Sequence, residues 1–154
     1  MATYQRLATT YVAQPKLNGD RVLCSVNNGV VSYANRHGSL YKFSVKSPIG
    51  AAAKSVCLFD GEVEGGVYYP FETLVFDSKD LRNECPSVRI AHAKKFCKKA
   101  GIPWLFDTPS ADWLARGRAN LPRWEGVVLK ALGSPYLPLA SDTMHTSSWL
   151  KLKW

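Results

Sequence analysis

Residues 12–34 read VAQPKLNGDRVLCSVNNGVVSYA. From Asp20 onward, residues alternate on both sides of Asn28-Gly29. An Asn-Gly pair tolerates the positive φ that a two-residue turn between antiparallel strands demands, so the spacing predicts a β-hairpin. Just upstream, Lys16 stands before a second Asn-Gly pair, with Arg21 five residues further on. A lysine set against a tight turn at the rim of a sheet needs a reason to be there.

Working outward, NRHG (35–38) forms a short break and SLYKF (39–43) reads as a third strand. SPIGAAAKSV (47–56) predicts a brief helix with Ser47 as cap and Pro48 at its first position. CLFDGEVEGGVYY (57–69) predicts a second hairpin turning at Gly65-Gly66, and ETLVFD (72–77) a further strand. PSVRIAHAKKFCKKAGIP (86–103) predicts a helix capped by Ser87, with lysines in its last turn, where the dipole favours cations, and Gly101 and Pro103 stopping it. ADWLARGRA (111–119), opened by Ser110, predicts a shorter helix; EGVVLKAL (125–132) and SSWLKLKW (147–154) predict strands. This order favours an α+β fold with mainly antiparallel sheets and flanking helices over alternating βαβ units. Neither a P-loop nor a Rossmann glycine motif occurs, which excludes phosphate binding by those turns.

One domain of 154 residues buries roughly 70% of the surface its unfolded chain exposes. A hydrophobic fraction of 46% supports a packed core rather than disorder. Twenty Lys and Arg against twelve Asp and Glu leave a net charge of +8, which suits polyanionic partners such as nucleic acid or nucleotide phosphates. The sequence holds no eighteen-residue apolar run and no secretory signal pattern, so no membrane association is expected. Cys24, Cys57, Cys85 and Cys97 lack C-x-x-C spacing, and Cys85, His92 and Cys97 lack a fourth zinc ligand; free thiols in a cytoplasmic chain are expected.

Lys16, Glu62, Glu125, Lys130, Lys151 and Lys153 interrupt strand-like runs. Charges on an outward strand face need no explanation singly. Lys151 and Lys153, however, share one face by the two-residue period, and so do Lys16 and Asn18. Neighbouring lysines repel unless an anion such as a triphosphate lies between them. Trp104, Trp113, Trp124 and Trp149 are expected in the core or at a rim.

As a set, these segments resemble the ordered motifs of the covalent nucleotidyltransferase superfamily: ATP-dependent DNA ligases, RNA ligases and mRNA capping enzymes. PKLNGDR is similar to K-x-D-G-x-R, NRHG to the Arg-Gly element after it, and FDGEVE to the D-G-E motif. LVFD resembles the segment supplying an aromatic under the base, EGVVLK resembles E-G-x-V-x-K, and WLKLK the closing K-x-K. The six elements follow the family order over residues 14–153. The resemblance implies an adenylation domain without an OB-fold domain, since the sequence stops one residue after Lys153. It is closest in look to small viral-type ATP-dependent DNA ligases.

That resemblance implies that Lys16 attacks the α-phosphate of ATP and forms a lysyl-AMP intermediate, which requires a neutral amine. Lys151 and Lys153 would neutralise the phosphates in the transition state and share the catalytic role. Gln14, Arg21, Arg36, Glu62, Phe76 and Lys130 would complete the nucleotide site, Glu62 accepting from ribose hydroxyls and Phe76 stacking on the purine. Gly19 would let the backbone turn beside the phosphate. Glu125 would help hold Mg²⁺ through water. Arg36 and the helical Lys94, Lys95, Lys98 and Lys99 would contact nucleic acid. The implied substrate is nicked double-stranded DNA or RNA, bound by a monomer. Two departures stand out: Asn18 replaces the usual Asp, and SPYLPLASDTMHTSS (134–148) lacks an arginine often found there, with His145 as a stand-in.

Overall fold

The computed structural model describes residues 10–108, 123–136 and 148–153. The helix expected from Ser110 and the stand-in His145 lie outside these residues. The described elements are β1 (Tyr11–Leu17), β2 (Asp20–Asn27), β3 (Val30–Asn35), α1 (Ile49–Ala52), β4 (Cys57–Glu64), β5 (Val67–Phe76), β6 (Lys79–Asp80), α2 (Pro86–Ala100), β7 (Trp124–Ala131) and β8 (Trp149–Lys153).

The strands form two antiparallel sheets, a three-stranded one in the order β1-β7-β8 and a five-stranded one in the order β3-β2-β4-β5-β6. The β2–β3 hairpin turns at Asn28 (φ 49°) and Gly29 (φ 80°), as the sequence predicts, and β4–β5 turns at Gly65 and Gly66, both with positive φ. Alternation along β2 and β4 sends Val22, Cys24, Val26, Phe59 and Val63 to one face, where Phe96 and Cys97 of α2 complete the main core. Arg21, Asp60 and Glu62 fall on the other face. The smaller sheet buries Ala13, Val127 and Leu129 on its own apolar side.

Four local expectations are corrected. SLYKF is not a strand: beyond a tight turn at Asn35–Ser39 it makes a single bridge, Leu40 to Ala34, and both Leu40 and Phe43 are exposed. The helix expected over 47–56 shortens to one turn, with Pro48 at its N-cap; the Ser47 hydroxyl still accepts the Ile49 N–H at 3.3 Å. β5 runs unbroken through Pro70, joining into one strand the segments expected separately at 67–69 and 72–77. The register shifts there, between the partners Asp60–Glu72 and Gly61–Pro70, and a bulge excuses the missing ladder donor. Finally, Cys85 rather than Ser87 is the N-cap of α2, because Pro86 already occupies the first turn; Gly101 (φ 69°) ends the helix as expected.

Candidate nucleotide site between the sheets

The two sheets face each other across a cleft of about 840 Å³. Three rows of paired residues cross the small sheet on its cleft side: Lys16–Gly126–Lys153, Gln14–Val128–Lys151 and Val12–Lys130–Trp149. The ladder between β1 and β7 is irregular at one point. Lys16 pairs with Gly126 and Leu17 with Trp124, so Glu125 is an extra residue without a partner in the ladder. A bulge re-aims its side chain. The Glu125 carboxylate accepts Lys16 Nζ on Oε1 and Lys153 Nζ, at 3.3 Å, on Oε2. Burial pushes its carboxyl up, but the bonds and charges of the two lysines outweigh burial and hold it below its ordinary value. Gly126 lies between the lysines with φ +156°, and a Cβ there would collide with the Leu152 carbonyl. Only glycine allows β8 this close.

On the opposite wall, Arg21 grips Asp60 with two bonds, Nε at 3.1 Å and Nη2 at 2.5 Å. Tyr136 donates its hydroxyl to Asp60 Oδ2 at 2.9 Å and accepts Arg21 Nη2 at 3.2 Å. Burial opposes the Arg21 charge, but Asp60 outweighs it and holds the guanidinium ionised. Glu62, opposite Arg21 in the β2–β4 register, is pushed up to about 7, chiefly by burial and further by Asp60, against the pull of Lys16 and Arg21. A Cβ on Gly19 would run into the Val63 carbonyl and stand 3.0 Å from Glu62 Cγ. Gly19 is therefore required by the packing of this wall.

The floor is a buried polar cluster. Lys130 Nζ donates to Gln14 Oε1 at 2.6 Å and pairs with Glu72 at 3.2 Å, between the rings of Trp149 (4.3 Å) and Phe71 (4.6 Å). Burial pulls the Lys130 ammonium below its ordinary value, with Glu72 and Asp60 resisting. Arg89 from α2 reaches the same Glu72 oxygen at 3.4 Å. Among the described residues four buried side-chain atoms lack a partner, Glu72 Oε2, Thr73 Oγ1, Arg89 Nε and the Trp149 indole N–H; of these residues Trp149 lines the cleft, so its N–H is a donor left for a bound molecule.

Of the residues singled out in the sequence, Gln14, Lys16, Arg21, Arg36, Glu62, Lys130 and Lys151 line the cleft. Glu125 and Lys153 meet Lys16 at its edge. Phe76 does not line it. The two irregularities in the β4–β5 register leave Phe76 on the helix-covered face, 5.5 Å from the His92 ring and 6.3 Å from Phe96. The purine-stacking role expected of it is withdrawn. The cleft aromatics are instead Phe71, Phe106, Trp149, Tyr41 and Phe43. Lys94, Lys95, Lys98 and Lys99 are exposed on α2, which covers the opposite face of the large sheet, and Lys94 pairs with Asp107. Trp149 had a legible signal, since the period that aligns Lys151 with Lys153 reaches back to it. Phe71 had none, because its placement depends on the bulge beside Pro70.

No protein-family model and no curated protein matches the sequence. Solved structures do. The mycobacterial DNA ligase D complexed with ATP and MES superposes with a TM-score of 0.69 at 20% identity, over 95% of this chain and 55% of that one. The ligase domain of M. tuberculosis LigD gives 0.70 at 22% identity, over 95% and 54%. The chain has the adenylation-domain fold of the DNA ligases. A structure of the Lig E DNA ligases, described as binding DNA with a minimal scaffold, shares this ligase fold with a TM-score of 0.59 at 16% identity, over 94% and 62%. The chain spans little more than half the length of the first two.

Proposed function

We propose that this chain is an ATP-dependent polynucleotide ligase that joins a 3′-hydroxyl to a 5′-phosphate, with nicked DNA as substrate. The observation that supports it most is the convergence of Lys16, Glu125 and Lys153 at the edge of a cleft lined by aromatic rings and by the unpartnered indole N–H of Trp149. The neighbouring ligase D was solved with ATP, which fits the same reading.

Lys16 Nζ gives its proton to Glu125 and attacks the α-phosphate of ATP. A nitrogen–phosphorus bond forms, the bond to the bridging oxygen breaks, and pyrophosphate leaves with the electron pair. Lys153 and Lys151 stabilise the negative charge on the leaving phosphates. The adenylate then passes from Lys16 to the 5′-phosphate, and the 3′-hydroxyl displaces AMP to close the strand. Gln14 and Lys130 lie at the floor, and the base rests against the aromatic rings that line the cleft, Phe71, Phe106 and Trp149. Arg21 and Glu62 face the ribose and phosphate.

Among the described residues no cluster of three metal-ligating side chains occurs. That suits Mg²⁺, which keeps several waters and needs only one or two carboxylates besides the substrate phosphates. Once it has passed the Lys16 proton on to solvent, the Glu125 carboxylate would hold the ion through water, and the ion would neutralise phosphate charge.

Asn18, where the related motifs carry Asp, favours RNA joining by the same chemistry as the second reading. The deciding experiment is intact-protein mass spectrometry after incubation with Mg²⁺ and ATP, beside Lys16→Ala. One added adenylate, absent from the variant, is expected. Sealing of matched DNA and RNA nicks then separates the two substrates. No adenylate and no sealing of a pre-adenylated nick would leave an inert binding module.

A further inference from the structure

The segment Asn35–Phe43 forms a strap along one lip of the cleft, contributing Asn35, Arg36, His37, Leu40, Tyr41, Lys42 and Phe43 to its lining. It is held firmly. Asn35 Oδ1 accepts the backbone N–H groups of His37 at 2.9 Å and Ser39 at 3.1 Å, and its own N–H donates to the Ser39 carbonyl at 2.8 Å. Gly38 adopts φ 80° to complete the turn. Beyond it, the Tyr41 N–H donates to the Tyr33 carbonyl at 2.9 Å and the Tyr41 hydroxyl to Asp20 at 2.8 Å.

This anchored strap holds two large apolar side chains out in solvent. Leu40 is 74% exposed and Phe43 is 71% exposed, the highest values among the large hydrophobic residues described. Tyr41 and Phe43 form an edge-on pair with ring centres 5.5 Å apart. Arg36 and Lys42 flank them, also exposed. A fixed aromatic and aliphatic platform beside cations, on the lip of a cleft that contains a nucleophilic lysine, needs a partner with an apolar face and an anionic backbone.

We propose that Phe43 and Leu40 form a stacking platform for a base of the polynucleotide substrate at the cleft mouth, while Arg36 and Lys42 hold the adjoining phosphates. Charge complementarity selects nucleic acid over an apolar protein segment: the two ionic side chains beside the platform are both cationic, and the nearby carboxylate of Asp20 is engaged by Tyr41. Every base presents a π-face, so such a platform fixes the position of a strand end without reading its sequence. This inference rests on the polynucleotide reading above, and adds the residues outside the nucleotide site that would grip the strand.

The test measures binding of a 5′-phosphorylated nicked DNA duplex by fluorescence anisotropy, in a Lys16→Ala background that blocks chemistry. Phe43→Ala is expected to raise Kd about tenfold, the loss of one stacked base. Phe43→Trp should keep the affinity, whereas Phe43→Leu should not. Stacking is not ionic, so the slope of log K against log salt stays the same in Phe43→Ala; Lys42→Ala should lower that slope by about 0.9. Because Phe43 is so exposed, these variants are expected to fold. An unchanged Kd in Phe43→Ala, or full rescue by Leu, overturns the platform while leaving the ligase reading standing. A parent that binds no nicked duplex, DNA or RNA, overturns both.

Discussion

The Lys16 ammonium rests on the carboxylate of Glu125, a residue with no partner of its own in the β1–β7 ladder. A regular strand would place position 125 on the face opposite Gly126. The extra residue turns its carboxylate toward both Lys16 and Lys153, which stand in one row across the glycine. Backbone irregularity thereby sets a carboxylate against the amine, the contact that the proposed proton transfer needs.

Glu125→Gln keeps the shape and a hydrogen-bond acceptor but removes the charge. Self-adenylation should fall by about a hundredfold, the range typical for loss of a general base. Stability should change little, because the Lys16–Glu125 and Lys153–Glu125 pairs are partly exposed and such pairs contribute about 1 kcal/mol or less. A time course of adenylate formation and a urea melt measure the two effects. Equal adenylation rates would remove Glu125 from the chemistry.

Glu62 gives the fold a dependence on pH. Its folded value, about 7, lies above the ordinary carboxyl value near 4.5, so the folded state holds a proton that the unfolded chain has already released. The contribution is fully present below about pH 4.5 and is lost as pH rises toward 7. Over that window the wild type should lose stability relative to Glu62→Gln, on the order of 3 kcal/mol. Urea midpoints of both proteins from pH 4.5 to 8 test the difference; parallel curves would show that water or ions already solvate Glu62.

Lys130 is fully enclosed and holds Gln14 and Glu72 together. Lys130→Met preserves the stem but leaves Glu72 with Arg89 as its only cationic partner among the described residues, at 3.4 Å. Removing one member of a buried pair costs about 3–5 kcal/mol. Adding Glu72→Gln should return part of this loss, because the stranded charge is gone. Additive losses in a urea double-mutant cycle would mean that the two groups do not depend on each other.

The hairpins were legible because Asn-Gly and Gly-Gly can hold the positive φ their turns need, and α2 because Gly101 stops it. The row Lys16–Lys153 was half legible: the two-residue period paired Lys151 with Lys153, but only the register of β1 and β8 on β7 brings Lys16 into line. Phe76 shows where such reading fails. A period of two assigns faces correctly only while the ladder is regular, and the β4–β5 ladder slips twice before Phe76. The partners of Arg21 were hidden for another reason. Asp60 and Tyr136 lie 39 and 115 residues away in sequence, and nothing local in the chain announces pairings of that range.

The two basic surfaces make opposite predictions about salt. Lys94, Lys95, Lys98 and Lys99 lie on a helix packed against the apolar face of the large sheet, away from the face that carries Arg21 and Glu62. Arg36 lines the cleft. A cation that neutralises one phosphate of duplex DNA contributes about 0.9 to the slope of log K against log salt. Replacing the four helical lysines with glutamine should therefore leave the slope for nicked DNA unchanged, and Arg36→Ala should lower it by about 0.9. Both slopes come from anisotropy titrations at several salt concentrations. A fall of about 2 or more in the fourfold variant would mean that the duplex wraps past the cleft onto α2, where the charge of that helix could hold it.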